Sequence, residues 1–157
     1  MANWCSNYVV IHGHDDKVSQ VMDEIKRLKT KCDETNHGVT AINEGDEDRY
    51  MFDIYIIDDS SFECMSKWAP SINSLRYFAT KYGVTIHNRY HEPGMLIYGK
   101  WQCDGDGNES DIWLDDEEYE MVEYNDETEL YSYNGRESDC DVEFLEEILN
   151  NKINGSN

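Results

Sequence analysis

Residues 50–68 read YMFDIYIIDDSSFECMSKW and determine how the rest of the chain can fold. The first eight residues are rich in aromatic and β-branched side chains, which favour a β-strand. A turn follows at Asp58, Asp59 and Ser60. Residues 61–68 then alternate between apolar and polar side chains, as a half-exposed strand does. The stretch therefore predicts two antiparallel strands joined by a tight turn.

Toward the start of the chain, the hairpin is preceded by a strand, a helix and an acidic loop. The run NYVVIH at residues 7–12 is β-branched and ends at Gly13, which is typical of a buried strand. Asp15 or Asp16 can cap the helix, whose apolar residues recur at steps of three and four: Val18, Val21, Met22, Ile25, Leu28 and Cys32. The acidic loop, residues 44–48, leads into the hairpin.

Beyond the hairpin, the alternation of helix and strand is repeated. Residues 70–71 begin a second helix that Gly83 ends, and its inward side chains are Ile72, Leu75, Phe78, Ala79 and Tyr82. A strand over residues 84–90 follows, then a turn at 92–94 and a returning strand over 95–103. The order strand, helix, strand, strand, helix, strand predicts a ferredoxin-like α+β fold, with two helices on one face of an antiparallel sheet.

Three groups of residues in this part of the chain match a known family pattern. They are Asn3-Trp4-Cys5-Ser6-Asn7; Ser61-Phe62-Glu63 followed by Lys67-Trp68-Ala69-Pro70; and Tyr90-His91-Glu92-Pro93-Gly94 with Gly99-Lys100-Trp101. In these residues the chain resembles the YubB-type ferredoxin-like domain family of plasmids, prophages and phages, over residues 1–103. The resemblance implies a ferredoxin-like fold and an origin on a mobile genetic element. It implies no activity and no catalytic residues.

The charge of the chain is concentrated in its last third. Of the formal net charge of −21, residues 1–103 contribute −4, from 15 Asp and Glu against 11 Lys and Arg. Residues 104–157 contribute −17, from 19 Asp and Glu against 2 Lys and Arg. Because nucleic acids and anionic membranes are themselves polyanions, we expect the chain to bind neither directly.

The last third is nevertheless predicted to fold, because a disordered acidic tail lacks aromatic residues and periodicity. Residues 112–114 continue the preceding hairpin across a turn at 104–108. Two further strands are predicted over residues 119–124 and 128–133, the second closed by Asn134-Gly135.

A last helix is predicted after these strands. Ser138 or Asp139 can cap it, and its apolar stripe is Val142, Leu145, Ile148, Leu149 and Ile153. We therefore expect a ferredoxin-like domain over residues 1–103, and an acidic β extension with a C-terminal helix over residues 104–157, packed together as one globular unit.

The sequence predicts no metal site. Residues 104–111 resemble the start of an EF-hand loop, but loop position 6 is Glu109 and position 12 is Asp115, so a plain hairpin turn is preferred. His12-Gly13-His14 and His91-Glu92 can supply ligands only if they meet at one end of the sheet, and such histidines are more often turn or edge residues.

The sequence also predicts no enzyme and no cofactor. It contains no GxSxG, P-loop or Rossmann glycine pattern, and no carboxylate pair can be singled out among so many. The aromatic residues Tyr50, Phe52, Tyr55, Phe78 and Tyr82 favour either core packing or an RNA-binding sheet, and the low basic charge favours the core. Five scattered cysteines and no signal peptide indicate reduced thiols and a cytoplasmic location, and the family resemblance implies that the cell is a bacterial host.

Residues 109–131, ESDIWLDDEEYEMVEYNDETELY, contain eleven carboxylates and no Lys or Arg. Strand residues two apart are separated by about 6.6 Å, and DNA has a charge about every 3.4 Å per strand, so carboxylates on adjacent strands can approximate phosphates. The predicted function is a non-enzymatic phage- or plasmid-encoded inhibitor that occupies the basic nucleic-acid-binding groove of a host restriction, CRISPR or repair enzyme. The predicted partner-binding residues are Asp104, Asp106, Glu109, Asp111, Asp115, Asp116, Glu117, Glu118, Glu120, Glu123, Asp126, Glu127 and Glu129.

Besides an acidic surface that is passive and binds no partner, two alternatives remain open. The first is a protein-binding adaptor that uses a sheet edge and the anchors Trp101 and Trp113, with the acids serving only solubility. The second is a calcium-responsive module built on the turn at residues 104–115.

Overall fold

The computed structural model describes residues 3–34, 39–41 and 50–155. In chain order the elements are β1 (Trp4–His12), α1 (Asp15–Glu34), β2 (Val39–Ala41), β3 (Tyr50–Ile56), β4 (Ser61–Lys67), α2 (Ile72–Tyr82), β5 (Thr85–Glu92), a 3-10 turn (Pro93–Met95), β6 (Ile97–Cys103), β7 (Glu109–Trp113), α3 (Asp116–Tyr119), β8 (Glu123–Asn125), β9 (Leu130–Tyr133), β10 (Arg136–Ser138) and α4 (Val142–Gly155). The acidic loop predicted over residues 44–48 lies outside the described residues.

Seven of these strands form one antiparallel sheet in the order β2-β3-β4-β1-β5-β6-β7. The four strands of the predicted core are consecutive neighbours within it, and β1 lies between β4 and β5. This order, with α1 and α2 as the connections, confirms the ferredoxin-like α+β fold. The edge strand β2 was not predicted.

Alternation along β1 separates the two faces of the sheet. Cys5, Asn7, Val9 and Ile11 are buried on the face covered by α1 and α2, and the residues between them point to the other face. The same cluster receives Val21, Met22, Ile25, Leu28 and Cys32 from α1 and Leu75, Phe78 and Ala79 from α2. Burying each large apolar side chain stabilises the fold by about 1.5–3 kcal/mol, so the predicted stripes hold both helices on the sheet.

The end of α2 is fixed by glycine, as predicted. Gly83 has φ 64°, in the left-handed region, and its amide donates to the Ala79 carbonyl. A Cβ at Gly105 would lie 2.7 Å from the Gly83 Cα, so the turn between β6 and β7 packs directly on this helix end.

A second hydrophobic core lies on the opposite face. Tyr98 of β6 points away from Trp101 and Cys103, which belong to the first core. It packs with Leu114, Tyr119, Tyr133, Phe144, Leu145, Ile148 and Leu149. The second core thus joins α3, α4 and the small sheet β10-β9-β8 to the half of this face that β5, β6 and β7 form. Strand β7 itself extends the main sheet beside β6.

The prediction of a strand over residues 119–124 is wrong. The helical turn α3 occupies Asp116–Tyr119, and β8 begins only at Glu123. The physical reason is a capping box, in which the Asp115 side chain accepts from the Glu118 amide and the Glu118 side chain accepts from the Asp115 amide.

Other boundaries in the last third also differ from prediction. β7 begins at Glu109, before the predicted start at 112, and β9 begins at Leu130. The unpredicted strand β10 pairs with β9 across Asn134-Gly135, whose φ angles of 49° and 75° suit a two-residue hairpin turn. Because β10 extends to Ser138, α4 begins later than expected, at Val142.

Candidate acidic interface

Glu109 is held by the ferredoxin-like core. Its two carboxylate oxygens accept from the Arg76 Nε and Nη2 atoms, each at 2.9 Å, and one also accepts from the Trp101 Nε1 at 3.2 Å. The hydrogen bonds from Arg76 lower the pKa of the Glu109 carboxyl. This predicted binding residue therefore attaches β7 to α2, and its charge is matched within the protein.

Asp111 is also engaged internally. The Tyr90 hydroxyl donates to its Oδ1 at 2.6 Å. Tyr90 reaches this position because Gly99 lies opposite it on β6, where a Cβ would stand 2.3 Å from the Tyr90 oxygen. Burial raises the pKa of Tyr90, and the Asp111 carboxylate raises it further, so the phenol stays a donor to this anion.

The turn at residues 104–108 uses its own carboxylate oxygens. Asp104 Oδ1 accepts from the amides of Asp106 and Asn108 at 3.0 and 2.9 Å, and Oδ2 accepts from the Asn108 side-chain amide at 3.0 Å. These bonds lower the pKa of Asp104. Among the described residues, no group of three or more His, Cys, Asp or Glu side chains could hold a metal ion.

Two more of the predicted residues form the start of α3. Asp115 and Glu118 cap each other, with both distances 2.9 Å. Glu118 also pairs with Lys152 Nζ of α4 at 2.6 Å, and Lys152 donates to the Trp113 carbonyl at 2.9 Å. These contacts fix the position of α3 against α4 and β7.

The other predicted residues have free side chains. Within the part of the chain that the structure describes, no hydrogen bond or ion pair engages the carboxylates of Asp106, Asp116, Glu117, Glu120, Glu123, Asp126, Glu127 and Glu129, and all eight residues are exposed. Seven of them fall into two groups. Asp116, Glu117 and Glu120 lie on α3 or directly after it, and Glu123, Asp126, Glu127 and Glu129 lie on the β8–β9 hairpin. The folded backbone thus presents two sets of unpaired carboxylates, which we call the α3 set and the hairpin set.

The histidines proposed as ligands are not brought together. On adjacent strands His12 is opposite Thr85 and His91 is opposite Ser6, which places the two histidines at opposite ends of the β1–β5 pair. They are separated by about six residues along the strands, which corresponds to about 20 Å. His91 instead contacts the Tyr119 hydroxyl, with its Nε2 at 2.7 Å.

The aromatic residues divide between core and surface. Phe78 is buried and Phe52 is 9% exposed, as the core interpretation requires, but Tyr50 and Tyr55 are 37% and 64% exposed, so that interpretation is wrong for these two tyrosines. The pattern missed Trp4 and Tyr8, each 41% exposed, which face the same side of the sheet as Tyr55. Their even spacing along β1 is the signal that identifies them.

The two tryptophans proposed as anchors also differ. Trp101 is 1% exposed and belongs to the first core, so it cannot contact a partner. Trp113, at the end of β7, is 56% exposed, and Met121 and Tyr124 are each about half exposed nearby in the chain. The acidic third therefore has an apolar as well as an anionic surface.

The sheet order and its two covering helices define a ferredoxin-like α+β protein, to which a folded acidic extension is attached. The chain belongs to the family described as "Ferredoxin-like domain in Api92-like protein", which matches residues 40–134. The match extends from β2 to the end of β9 and so includes both sets of unpaired carboxylates. No curated protein and no solved structure matches the chain at a significant level. Among the described residues, no helix is long and apolar enough to span a membrane.

Proposed function

We propose that the chain is a non-enzymatic inhibitor, encoded by a phage or plasmid, that acts by acidic nucleic-acid mimicry. The partner is a host protein with a basic nucleic-acid-binding groove, such as a restriction, CRISPR or repair enzyme, and the site of action is the bacterial cytoplasm. The origin follows from the YubB-type resemblance of the first 103 residues. Neither nucleic acid nor membrane is bound directly, because both would be repelled by the net charge of −21.

The observation that carries this proposal is the set of unpaired carboxylates held on folded backbone. Glu109 and Glu118 form ion pairs within the protein and Asp111 accepts a hydrogen bond from Tyr90, so these three residues are left out of the proposed interface. The α3 set and the hairpin set remain, on a helical turn and a short hairpin.

A folded scaffold matters for affinity. A partner that binds a disordered acidic tail must order it, at an entropic cost that a preformed surface largely avoids. Lys and Arg side chains that normally bind phosphates would be attracted to this surface over distances comparable to the Debye length, about 10 Å at 0.1 M salt.

The test begins with capture of host proteins by the full chain, followed by affinity measurements on each nucleic-acid-binding protein recovered. The hairpin set is neutralised in the triple variant Glu123→Gln, Glu127→Gln, Glu129→Gln. A matched control removes the same charge from exposed residues elsewhere, as Asp23→Asn, Glu34→Gln, Asp59→Asn.

We expect DNA to compete with the chain for the partner, and added NaCl to weaken the complex. The hairpin variant should bind roughly 3- to 150-fold more weakly than the control, if each of its three lost charges contributes about 0.2–1 kcal/mol. Equal affinity of the two variants, or binding that DNA does not displace, would rule out mimicry.

A second candidate, a protein-binding adaptor, is favoured by the exposed Trp4, Tyr8 and Tyr55 on the half of the sheet that the second core leaves uncovered. Interfaces are often anchored by such residues. An adaptor predicts that Tyr8→Ala with Tyr55→Ala abolishes capture, whereas the hairpin variant binds normally at every salt concentration.

A further inference from the structure

A groove lies beside the α3 set, between the 3-10 turn that follows β5 and the end of β7. Its volume is about 620 Å³, within the range of about 300–1,000 Å³ that is usual for ligand sites. Its apolar walls are Met95, Leu96, Ile97, Trp113 and Leu114, and its acidic rim is Asp115, Asp116 and Glu117.

The walls are unusually accessible for apolar side chains. Trp113 is 56% exposed and Met95 is 48% exposed, so both present large surfaces to solvent in the groove. Leu114, at 2% exposed, forms part of a rigid floor that belongs to the second core. A partner side chain with an apolar stem would bury this surface on binding.

The rim gives the groove a negative charge that the protein does not neutralise. The Asp115 side chain accepts a hydrogen bond from the Glu118 amide in the capping box, whereas the carboxylates of Asp116 and Glu117 are exposed and engage no described residue. No Lys, Arg or His is among the residues that line the groove. Lys152 of α4 contacts this region, but its ammonium group is bonded to Glu118 and to the Trp113 carbonyl.

We infer that this groove is a subsite for an arginine side chain of the partner protein, an inference that rests on the proposed function. The guanidinium group stacks on the exposed face of Trp113, and its N–H groups donate to Asp116 and Glu117. The aliphatic stem lies along Met95.

Arginine fits this groove better than lysine does. A guanidinium group is planar, stacks on indole rings and donates through a fixed fork of five N–H groups, whereas a lysine ammonium is a compact and strongly hydrated charge. A carboxylate pair beside an exposed indole therefore selects arginine. Nucleic-acid-binding grooves are lined with arginine, so one such side chain can anchor the chain in its target.

The first experiment needs no host partner. The ¹⁵N-labelled full chain is titrated with acetyl-Gly-Arg-Gly-amide, and with matched peptides in which lysine or the neutral analogue citrulline replaces arginine. We expect the arginine peptide to shift the Trp113 indole N–H resonance and the amides of residues 113–117. The lysine peptide should shift them less at equal concentration, and the citrulline peptide should leave them unchanged.

Variants then localise the effect. Trp113→Ala should weaken binding of the arginine peptide roughly 5- to 30-fold. Asp116→Asn with Glu117→Gln should remove the resonance shifts that this peptide causes. The matched control Asp23→Asn with Glu34→Gln removes the same charge from exposed residues of α1, outside the groove lining, and should retain them. Equal shifts at the exposed Trp4 and Trp68, or equal effects of both charge variants, would show diffuse attraction and overturn the subsite.

The subsite and the proposed function fail in different ways. If the arginine peptide binds the groove but no captured protein is displaced by DNA, the subsite stands and mimicry does not. If a DNA-displaceable host complex is lost in the hairpin variant but unchanged in Trp113→Ala with Asp116→Asn and Glu117→Gln, mimicry stands and the subsite is overturned.

Discussion

Asn7 is buried in the centre of the sheet, and both of its side-chain polar atoms are hydrogen bonded. Its Nδ2 donates to Ser66 Oγ at 2.9 Å, to the Cys64 carbonyl of the neighbouring strand β4 and to the Cys5 carbonyl of its own strand. Its Oδ1 accepts from the Ser71 amide and from Asn88 Nδ2, each at 3.0 Å. One side chain therefore joins β1 and β5 to the segment that enters α2.

Replacing Asn7 should be costly. Asn7→Leu leaves the Ser71 amide and the Asn88 side chain without their acceptor, and each unsatisfied buried group costs about 1–3 kcal/mol. We expect the free energy of unfolding to fall by at least about 2 kcal/mol, measured by urea denaturation. Asn151→Leu, at an exposed position of α4, is the control and should change stability by less than about 0.5 kcal/mol. A similar small loss for Asn7→Leu would contradict this account.

The residues that carried the family resemblance have structural contacts of this kind. The Glu92 side chain accepts from the Gly94 amide at 2.8 Å, and a Cβ at Gly94 would lie 2.8 Å from Asn3 Nδ2. Tyr90 is placed against Gly99 and Asp111. These motifs were readable from the sequence as a pattern, but their role required tertiary contacts such as the one between Asn3 and Gly94, which are far apart in the chain.

Among the elements, those with strong local signals were predicted well. The apolar stripes of α1 and α2 and the glycine after α2 are local features, and the structure reproduces them. The segment from 119 to 124 was misread because its alternation of aromatic and acidic residues is typical of a strand. The Asp115 to Glu118 spacing of a capping box was a competing local signal, and it determined the start of α3.

The contact between β5 and the acidic third contains a titratable group, His91. Burial lowers the pKa of His91 from 6.5, although Asp141 and Glu92 oppose the shift. Because the unfolded chain then binds the proton first as pH falls, His91 contributes stability that is present above about pH 6.5 and is lost as pH falls through the folded-state pKa.

We expect the stability advantage of the native chain over His91→Gln to shrink between about pH 7.5 and pH 5. Glutamine can keep a hydrogen bond to Tyr119 but cannot titrate, so the difference in slope reports the histidine. Urea denaturation of both proteins across this range measures it. The exposed His14→Gln serves as a control for the general effect of removing a histidine. An advantage that grows at low pH would mean that Asp141 dominates over burial.

For the whole molecule, the sequence established how charge is divided between residues 1–103 and residues 104–157, but not how these two parts of the chain pack together. The ferredoxin-like order follows from consecutive local patterns, whereas the second core depends on Tyr98 facing α4 across the sheet. No local pattern distinguishes a tyrosine that faces solvent from one covered by a distant helix. For the same reason, the sequence could not separate Glu109 and Asp111, which have internal partners, from the unpaired hairpin set.

The balance of these charges determines how salt acts on stability. Salt screens repulsion among the unpaired carboxylates, which stabilises the fold, and also weakens exposed ion pairs such as Arg76–Glu109 and Arg136–Glu147. Exposed pairs contribute about 0–1 kcal/mol each, whereas a net charge of −17 on residues 104–157 repels throughout that third. Repulsion should therefore dominate.

We accordingly expect the melting temperature to rise when NaCl is increased from about 0.05 to 0.5 M, over which the Debye length falls from roughly 14 to 4 Å. The rise should be smaller in Glu123→Gln, Glu127→Gln, Glu129→Gln than in the control Asp23→Asn, Glu34→Gln, Asp59→Asn, because the hairpin set lies in the region of highest charge density. Calorimetry of the three proteins at each salt concentration measures this difference. A melting temperature that falls with salt would mean that the ion pairs outweigh the repulsion, and identical responses of the two variants would mean that the hairpin carboxylates are too far apart to act together.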